Sequence, residues 1–235
     1  MALRELARRG TALGTATILI LSLSACIEGS GDVEDDDFET AQSNPFRGEE
    51  EDSVADPTGR ADWANPYTNP GDKLTSFEAG DIEITVYQVN VVKSPKASNA
   101  VDPETNEPII NKGDKIVFVN FVITNTGDIP INLGESLVTV DGEYDDWKHG
   151  DQMPSIKDSE LFEYLNVNAS RLAPGKSTDP AIYPLKRNGA FTFGTNYLYQ
   201  KDSDITFTAK YLPVDDQGEP LRDEKVKSKS KAKIE

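Results

Sequence analysis

The stretch Lys115–Thr124, KIVFVNFVIT, decides the fold class. Val117, Val119, Phe121 and Ile123 occupy every second position, so an extended chain turns all four to one face. Asn120 and Thr124 interrupt the opposite face. That pattern suits a central strand covered by a second sheet. Asn125-Thr126-Gly127-Asp128 follows at once and supplies turn chemistry.

The same period of two recurs on either side of this stretch. Ile82, Ile84 and Val86 alternate with Asp81, Glu83 and Thr85, giving a half-buried strand that continues toward Val92. A proline-bearing loop, Ser94 to Glu107, separates it from the central strand and ends in Lys112-Gly113-Asp114. Leu137–Val140 reads as a strand running into Asp141-Gly142, a hairpin signal. Leu172-Ala173-Pro174-Gly175 reads as a turn, with a strand at Ala181-Ile182-Tyr183. Alternation sends Phe191 and Phe193 to the core and leaves Thr192 outside. Toward the C-terminus, Ile205, Phe207, Ala209 and Tyr211 line one face of a strand, and Asp216-Gln217-Gly218 marks a turn region. Lysines then stand at 225, 227, 229, 231 and 233, a strict alternation that places them on the solvent face of a strand. Helical periodicity is scarce. Seven to eight short antiparallel strands joined by Gly, Pro and Asn turns indicate an all-β sandwich over residues 76–235.

Phe118–Gly127, FVNFVITNTG, resembles the strand ending in N-x-G at the core of an immunoglobulin-like domain of unknown function. That family is common in lipoproteins of Gram-positive bacteria, actinobacteria among them. Asp141-Gly142 and Leu172–Gly175 fall where the family places its turns. The resemblance implies an immunoglobulin-like sandwich and an envelope location, and it implies no reaction.

The N-terminal region carries an address. Arg4, Arg8 and Arg9 precede an uncharged stretch of about fifteen residues, TALGTATILILSLSA, too short to span a bilayer as a helix and suited to a secretory signal. It ends in Leu23-Ser24-Ala25-Cys26, which resembles the bacterial lipobox. The resemblance implies that residues 1–25 are removed and that the Cys26 thiol receives a diacylglycerol. Cys26 is the only cysteine, so no disulfide forms within the chain. Residues 27–75 carry a net charge of −11, with acidic runs at Glu34–Asp37 and Glu49–Asp52 and prolines at 45, 57, 66 and 70. Such a segment lacks the apolar surface to offset chain entropy, and it reads as a disordered tether with a reach of roughly 40 Å. Trp63 and Tyr67 near its end are candidates to pack on the domain. The full chain carries −17, which argues against nucleic acid as a partner.

Chemistry is sparse. A single histidine, no cysteine beyond Cys26, no Gly-x-Ser-x-Gly and no phosphate-binding glycine loop point away from an enzyme and from any bound cofactor. Three functional readings are open. The first is a membrane-anchored, extracellular-facing module that binds a cell-envelope protein or cell-wall component, with Trp147, Tyr197 and Tyr199 as contact residues. The second is an envelope metal-binding protein, using Asp145, Asp146 and Asp151 as oxygen ligands for calcium, or His149 with Met153 for copper. The third is a carboxylate-dependent hydrolase, which needs two acids facing one another in a cleft.

Overall fold

The computed structural model describes residues 59–149 and 153–235. Cys26, the acidic runs and Asp151 lie outside the described residues. Among the described residues nine strands and one short α-helix follow in order, besides a 3-10 turn at Arg222–Glu224: β1 (Asp72–Ala79), β2 (Ile82–Lys93), β3 (Lys115–Asn125), β4 (Ile131–Leu133), β5 (Thr139–Tyr144), α1 (Ser159–Tyr164), β6 (Tyr183–Leu185), β7 (Ala190–Leu198), β8 (Asp204–Tyr211) and β9 (Val226–Lys233). They form a four-stranded sheet in the order β1-β2-β3-β7, a three-stranded sheet β5-β8-β9, and a small pair β4-β6, all antiparallel. The protein is an all-β sandwich.

The inner faces match the alternation read from the sequence. Ile82, Ile84 and Val86 of β2, and Val117, Val119, Phe121 and Ile123 of β3, are fully buried. They face Ile205, Phe207, Ala209 and Tyr211 of β8 across the core, with Phe121 meeting Phe207 edge-on at 5.8 Å between ring centroids. The lysines of β9 stand in solvent while Val226, Ser228, Ser230 and Ala232 are half-buried. At one side of the sandwich β1 and β9 approach, with Thr75 Oγ1 and Ser230 Oγ 3.1 Å apart.

The outer face of β3 is covered as well, and not by a sheet. Ile116 and Phe118 pack against Ile110, Ile156, Phe162, Leu165 and Val167 in a second core. Helix α1 brings Phe162 onto Phe118, ring centroids 5.0 Å apart. The helix starts where Asp158 accepts a hydrogen bond from the Leu161 N–H at 3.2 Å. Polar side chains fasten this layer. Fully buried Asn196 exchanges two 2.8 Å hydrogen bonds with the backbone of Ile156, and Asn120 donates to the Thr68 carbonyl at 2.9 Å.

Three local expectations give way. Asp141-Gly142 is not a turn: β5 runs through it, because the Tyr197 hydroxyl and ring fill the space that a Cβ at Gly142 would take, at 2.7 and 2.8 Å. Thr192 is buried, not outside, since Thr68 and Asn168 reach its hydroxyl at 3.2 and 2.8 Å. The packed body also begins before residue 76. Trp63 is buried against Tyr183 and Phe191 and donates to the Pro184 carbonyl at 3.0 Å, and Ala61 and Ala64 join the core.

The Asn-x-Gly motif after β3 is a structural clamp. The buried Asn125 amide donates to the carbonyls of Ile129 and Leu185, each at 2.9 Å, and its oxygen accepts from the Gly127 N–H at 2.9 Å. Gly127 is required because a Cβ there would lie 2.7 Å from Asp81 Cβ. Asn125→Ala removes the side-chain donor from both carbonyls, while the Gly127 N–H keeps the Asp81 carbonyl at 3.2 Å, so we expect a loss of about 2–4 kcal/mol. Urea unfolding monitored by tryptophan fluorescence measures it, and a midpoint unchanged from the parent would contradict the clamp.

Candidate functional site

The side of the sandwich opposite β1 and β9 is closed differently. β5 ends one sheet and β7 ends the other, and neither is hydrogen-bonded to a further strand on its free edge. Two tyrosines stitch these edges together. Tyr144 of β5 donates to the Leu198 carbonyl at 2.9 Å, and the Tyr197 hydroxyl of β7 hydrogen-bonds the backbone of Gly142. Burial pushes both phenols up, well above the ordinary tyrosine range, so both stay neutral at physiological pH.

Beside this seam the chain leaves a cleft of about 710 Å³, within the size range of small-molecule sites. β5 and β7 form its floor, the outer face of the β5-β8-β9 sheet forms one wall, and residues 153–171 with α1 form the other. At its base Arg171 lies with its guanidinium 4.0 Å above the centre of the Phe193 ring and its Nε donating to the Val138 carbonyl at 3.0 Å. Its surroundings lower the Arg171 pKa, burial being the cause. Lys157, Lys210, Lys227 and Lys229 also line the cleft. So do three acids, Asp141, Glu143 and Asp158. Asp141 is engaged by Lys210 at 3.0 Å, and Asp158 caps α1.

Of the residues singled out in the sequence, Met153 and Tyr197 line this cleft, whereas Asp145, Asp146, Trp147, His149 and Tyr199 lie away from it. Asp145 accepts from Lys231 Nζ at 2.6 Å and from the Thr206 hydroxyl at 3.1 Å, on the solvent face of the sheet. Those two contacts, that to Lys231 foremost, lower its pKa. Asp146 is exposed. His149 Nδ1 meets Asp102 Oδ2 in a short contact, and its ring lies edge-on to Trp147 at 5.0 Å. Among the described residues no three His, Cys, Asp or Glu side chains gather as the ligands of one metal ion would. Tyr197 is 4% exposed and belongs to the core, so it is not the contact surface its sequence suggests; its hydroxyl is spent on the seam. Tyr199 and Trp147 are half-buried against the core, and the Trp147 indole N–H has no partner among the described residues. Arg171 carries no motif and is recognisable only once β5 and β7 meet beside it. The lysines at 227 and 229 were legible as a solvent row, not as a cleft wall. No described helix is long and apolar enough to cross a membrane.

No family model and no curated protein matches the chain. Among solved structures, the yjhA protein from Bacillus subtilis aligns with 70% of this chain and 99% of its own, at 13% identity and a TM-score of 0.40. The "putative lipoprotein (ycdA)" from Bacillus subtilis subsp. subtilis str. 168 aligns with 71% of this chain and 39% of its own, at 12% identity and a TM-score of 0.33.

Asp102 turns the 94–114 loop into an anchor for the segment after β5. Its Oδ1 accepts from the N–H groups of Glu104 and Thr105 at 2.8 and 3.0 Å, and its Oδ2 meets His149. The hydrogen bond to His149, then those two backbone donors, hold its carboxyl down to about 2. A carboxylate depressed in the folded chain favours folding above the usual carboxylate range of about 4, and that contribution fades as pH falls toward 2. In a carboxyl-carbon NMR titration Asp102 is expected to titrate near the bottom of that window. His149→Ala should move it upward but not fully to the ordinary value, since the backbone donors persist. An Asp102 that titrates normally in the parent protein would remove the anchor.

Proposed function

We propose that this chain is a lipid-anchored protein of the bacterial cell surface, non-enzymatic, whose sandwich holds an envelope ligand in the cleft between β5, β7 and residues 153–171. The observation that carries the binding role is the cleft itself. It has a polar, cation-rich lining, and it lies where two sheet edges are joined by tyrosine hydrogen bonds instead of being closed by a further strand. The anchor rests on Leu23–Cys26 following an uncharged apolar run, and the acidic residues between anchor and sandwich suit a spacer facing outward from the membrane. Asp141 and Asp158 are engaged by Lys210 and by the start of α1, which supports a binding wall over a pair of catalytic acids.

Two measurements test the two halves separately. Expressed in a bacterium with a lipoprotein pathway, the protein should partition into the detergent phase and take up a labelled fatty acid. Cys26→Ser should lose both properties, and a variant that still takes up label would refute the anchor. For the cleft, soluble cell-wall fragments at a hundred times their dissociation constant should add about 2.7 kcal/mol to stability, a rise in melting temperature of roughly 5–10 °C. Ser155→Trp, which fills the cleft from its wall, should abolish that rise without lowering the melting temperature of the free protein. A rise that Ser155→Trp leaves intact would place binding elsewhere.

A further inference from the structure

We infer that the cleft recognises an anionic group, a carboxylate or a phosphate, with Arg171 as its central cation. The inference deepens the binding role proposed above and rests on it.

Arg171 is half-buried, and a guanidinium has five N–H donors. One is used, by Nε on the Val138 carbonyl, and the face of the group is supported by Phe193. Among the described residues no carboxylate comes within ion-pair distance of it, although seven ion pairs form elsewhere in the same body; Asp141 acts on it from further off and is itself engaged by Lys210. A cation partly withdrawn from water is stabilised by a counter-ion at contact distance, since losing hydration without one is costly. Here the group is held flat by an aromatic ring and a backbone carbonyl, so it is positioned in advance of any ligand. Arginine suits this role, since its planar fork matches the paired oxygens of a carboxylate or phosphate.

The walls extend the same chemistry. Lys227 and Lys229 of β9 point to one face, opposite Lys210 and Thr208 in the register of β8. Lys210 is engaged by Asp141, whereas Lys227 and Lys229 have no ion pair among the described residues. Lys157 adds a further cation from the facing wall, and Ser155, Ser159, Thr195 and Thr208 supply hydroxyls. Against these stands one acid not otherwise engaged, Glu143. The chain as a whole carries −17, so this cleft runs against the sign of the protein that contains it. A concentration of one charge between low-dielectric walls focuses the field on a ligand of the opposite sign. The hydroxyls fit a ligand that is itself rich in hydroxyl groups.

The test is two-dimensional NMR of the full chain carrying Cys26→Ser, titrated with glucuronate, with glucose 1-phosphate and with neutral glucose. The two anions separate carboxylate from phosphate, and glucose tests whether charge is needed. The expected result is a set of shifts confined to the cleft lining with at least one anion and none with glucose, weakening as salt is raised. Lys227→Ser with Lys229→Ser changes only solvent-facing side chains, so the fold should be kept and the affinity should fall about tenfold, the equivalent of about 1.4 kcal/mol. Arg171→Lys retains the charge but loses the fork, and should cost a similar factor. No shift at the cleft with either anion overturns the inference, as does anion binding that both sets of substitutions leave unchanged. Glucose shifting the cleft where the anions do not would sink the anionic class while leaving the binding role standing.

Discussion

The structure depends on β3 being buried on both faces. Its inner face, Val117, Val119, Phe121 and Ile123, is covered by the second sheet, as in any sandwich. Its outer face carries Ile116 and Phe118, both fully buried, and exposing side chains of that size would forfeit about 1.5–3 kcal/mol each. Something other than a sheet must therefore cover them. The chain answers with segments that lack strand alternation: the 94–114 loop brings Ile110, and residues 153–167 bring Ile156 and α1. Because irregular backbone carries unsatisfied polar groups, this cover is fastened by buried amides and hydroxyls. Asn196 holds Ile156, Asn120 holds Thr68, and Thr192 is shared by Thr68 and Asn168.

The cleft is a consequence of the same cover. To reach the outer face of β3 and β7, the chain leaves β5, passes the open side of the sandwich and folds back as α1 before returning to β6. It thereby lays residues 153–171 alongside the free edges of β5 and β7 without adding a strand to either. The edges are secured by Tyr144 and Tyr197, and this explains a glycine in the middle of β5. Tyr197 needs the room at Gly142 to bring its hydroxyl to the backbone. An exposed edge would invite pairing with another chain, so the 153–171 segment alongside it also protects the fold.

The strands of the inner core were legible because each buries one face, and a period of two then shows directly in residues such as Ile82, Ile84 and Val86, or Ile205, Phe207 and Ala209. Legibility failed where a residue serves two layers. Thr192 sits on the outer face of β7 and reads as solvent-facing until the covering segment is known. Asp141-Gly142 has the composition of a turn, and only the Tyr197 ring across the seam makes it a strand. Trp63 lies in an acidic, proline-rich neighbourhood, yet its contacts with Tyr183 and Phe191 are more than a hundred residues away in sequence. The capping signal of α1, Asp158 three residues before Leu161, was present but is weak over six residues. Arg171 had no signal, since its ring partner lies in β7 and its carbonyl partner just before β5.

Charge gives the last link. Acidic residues dominate the chain, and most of the lysines on the β5-β8-β9 sheet are matched with them: Lys210 with Asp141, Lys231 with Asp145, Lys233 with Asp204. This pairing takes up the basic row toward its far end and on the middle strand, but not at Lys227 and Lys229, which stand beside the cleft. If the row served only to keep an edge strand from pairing, its position relative to the cleft would have no consequence. Its two unmatched members instead extend the charge of a guanidinium already fixed by Phe193 and Val138. The same alternation that makes β9 a soluble strand therefore also gives the cleft its sign.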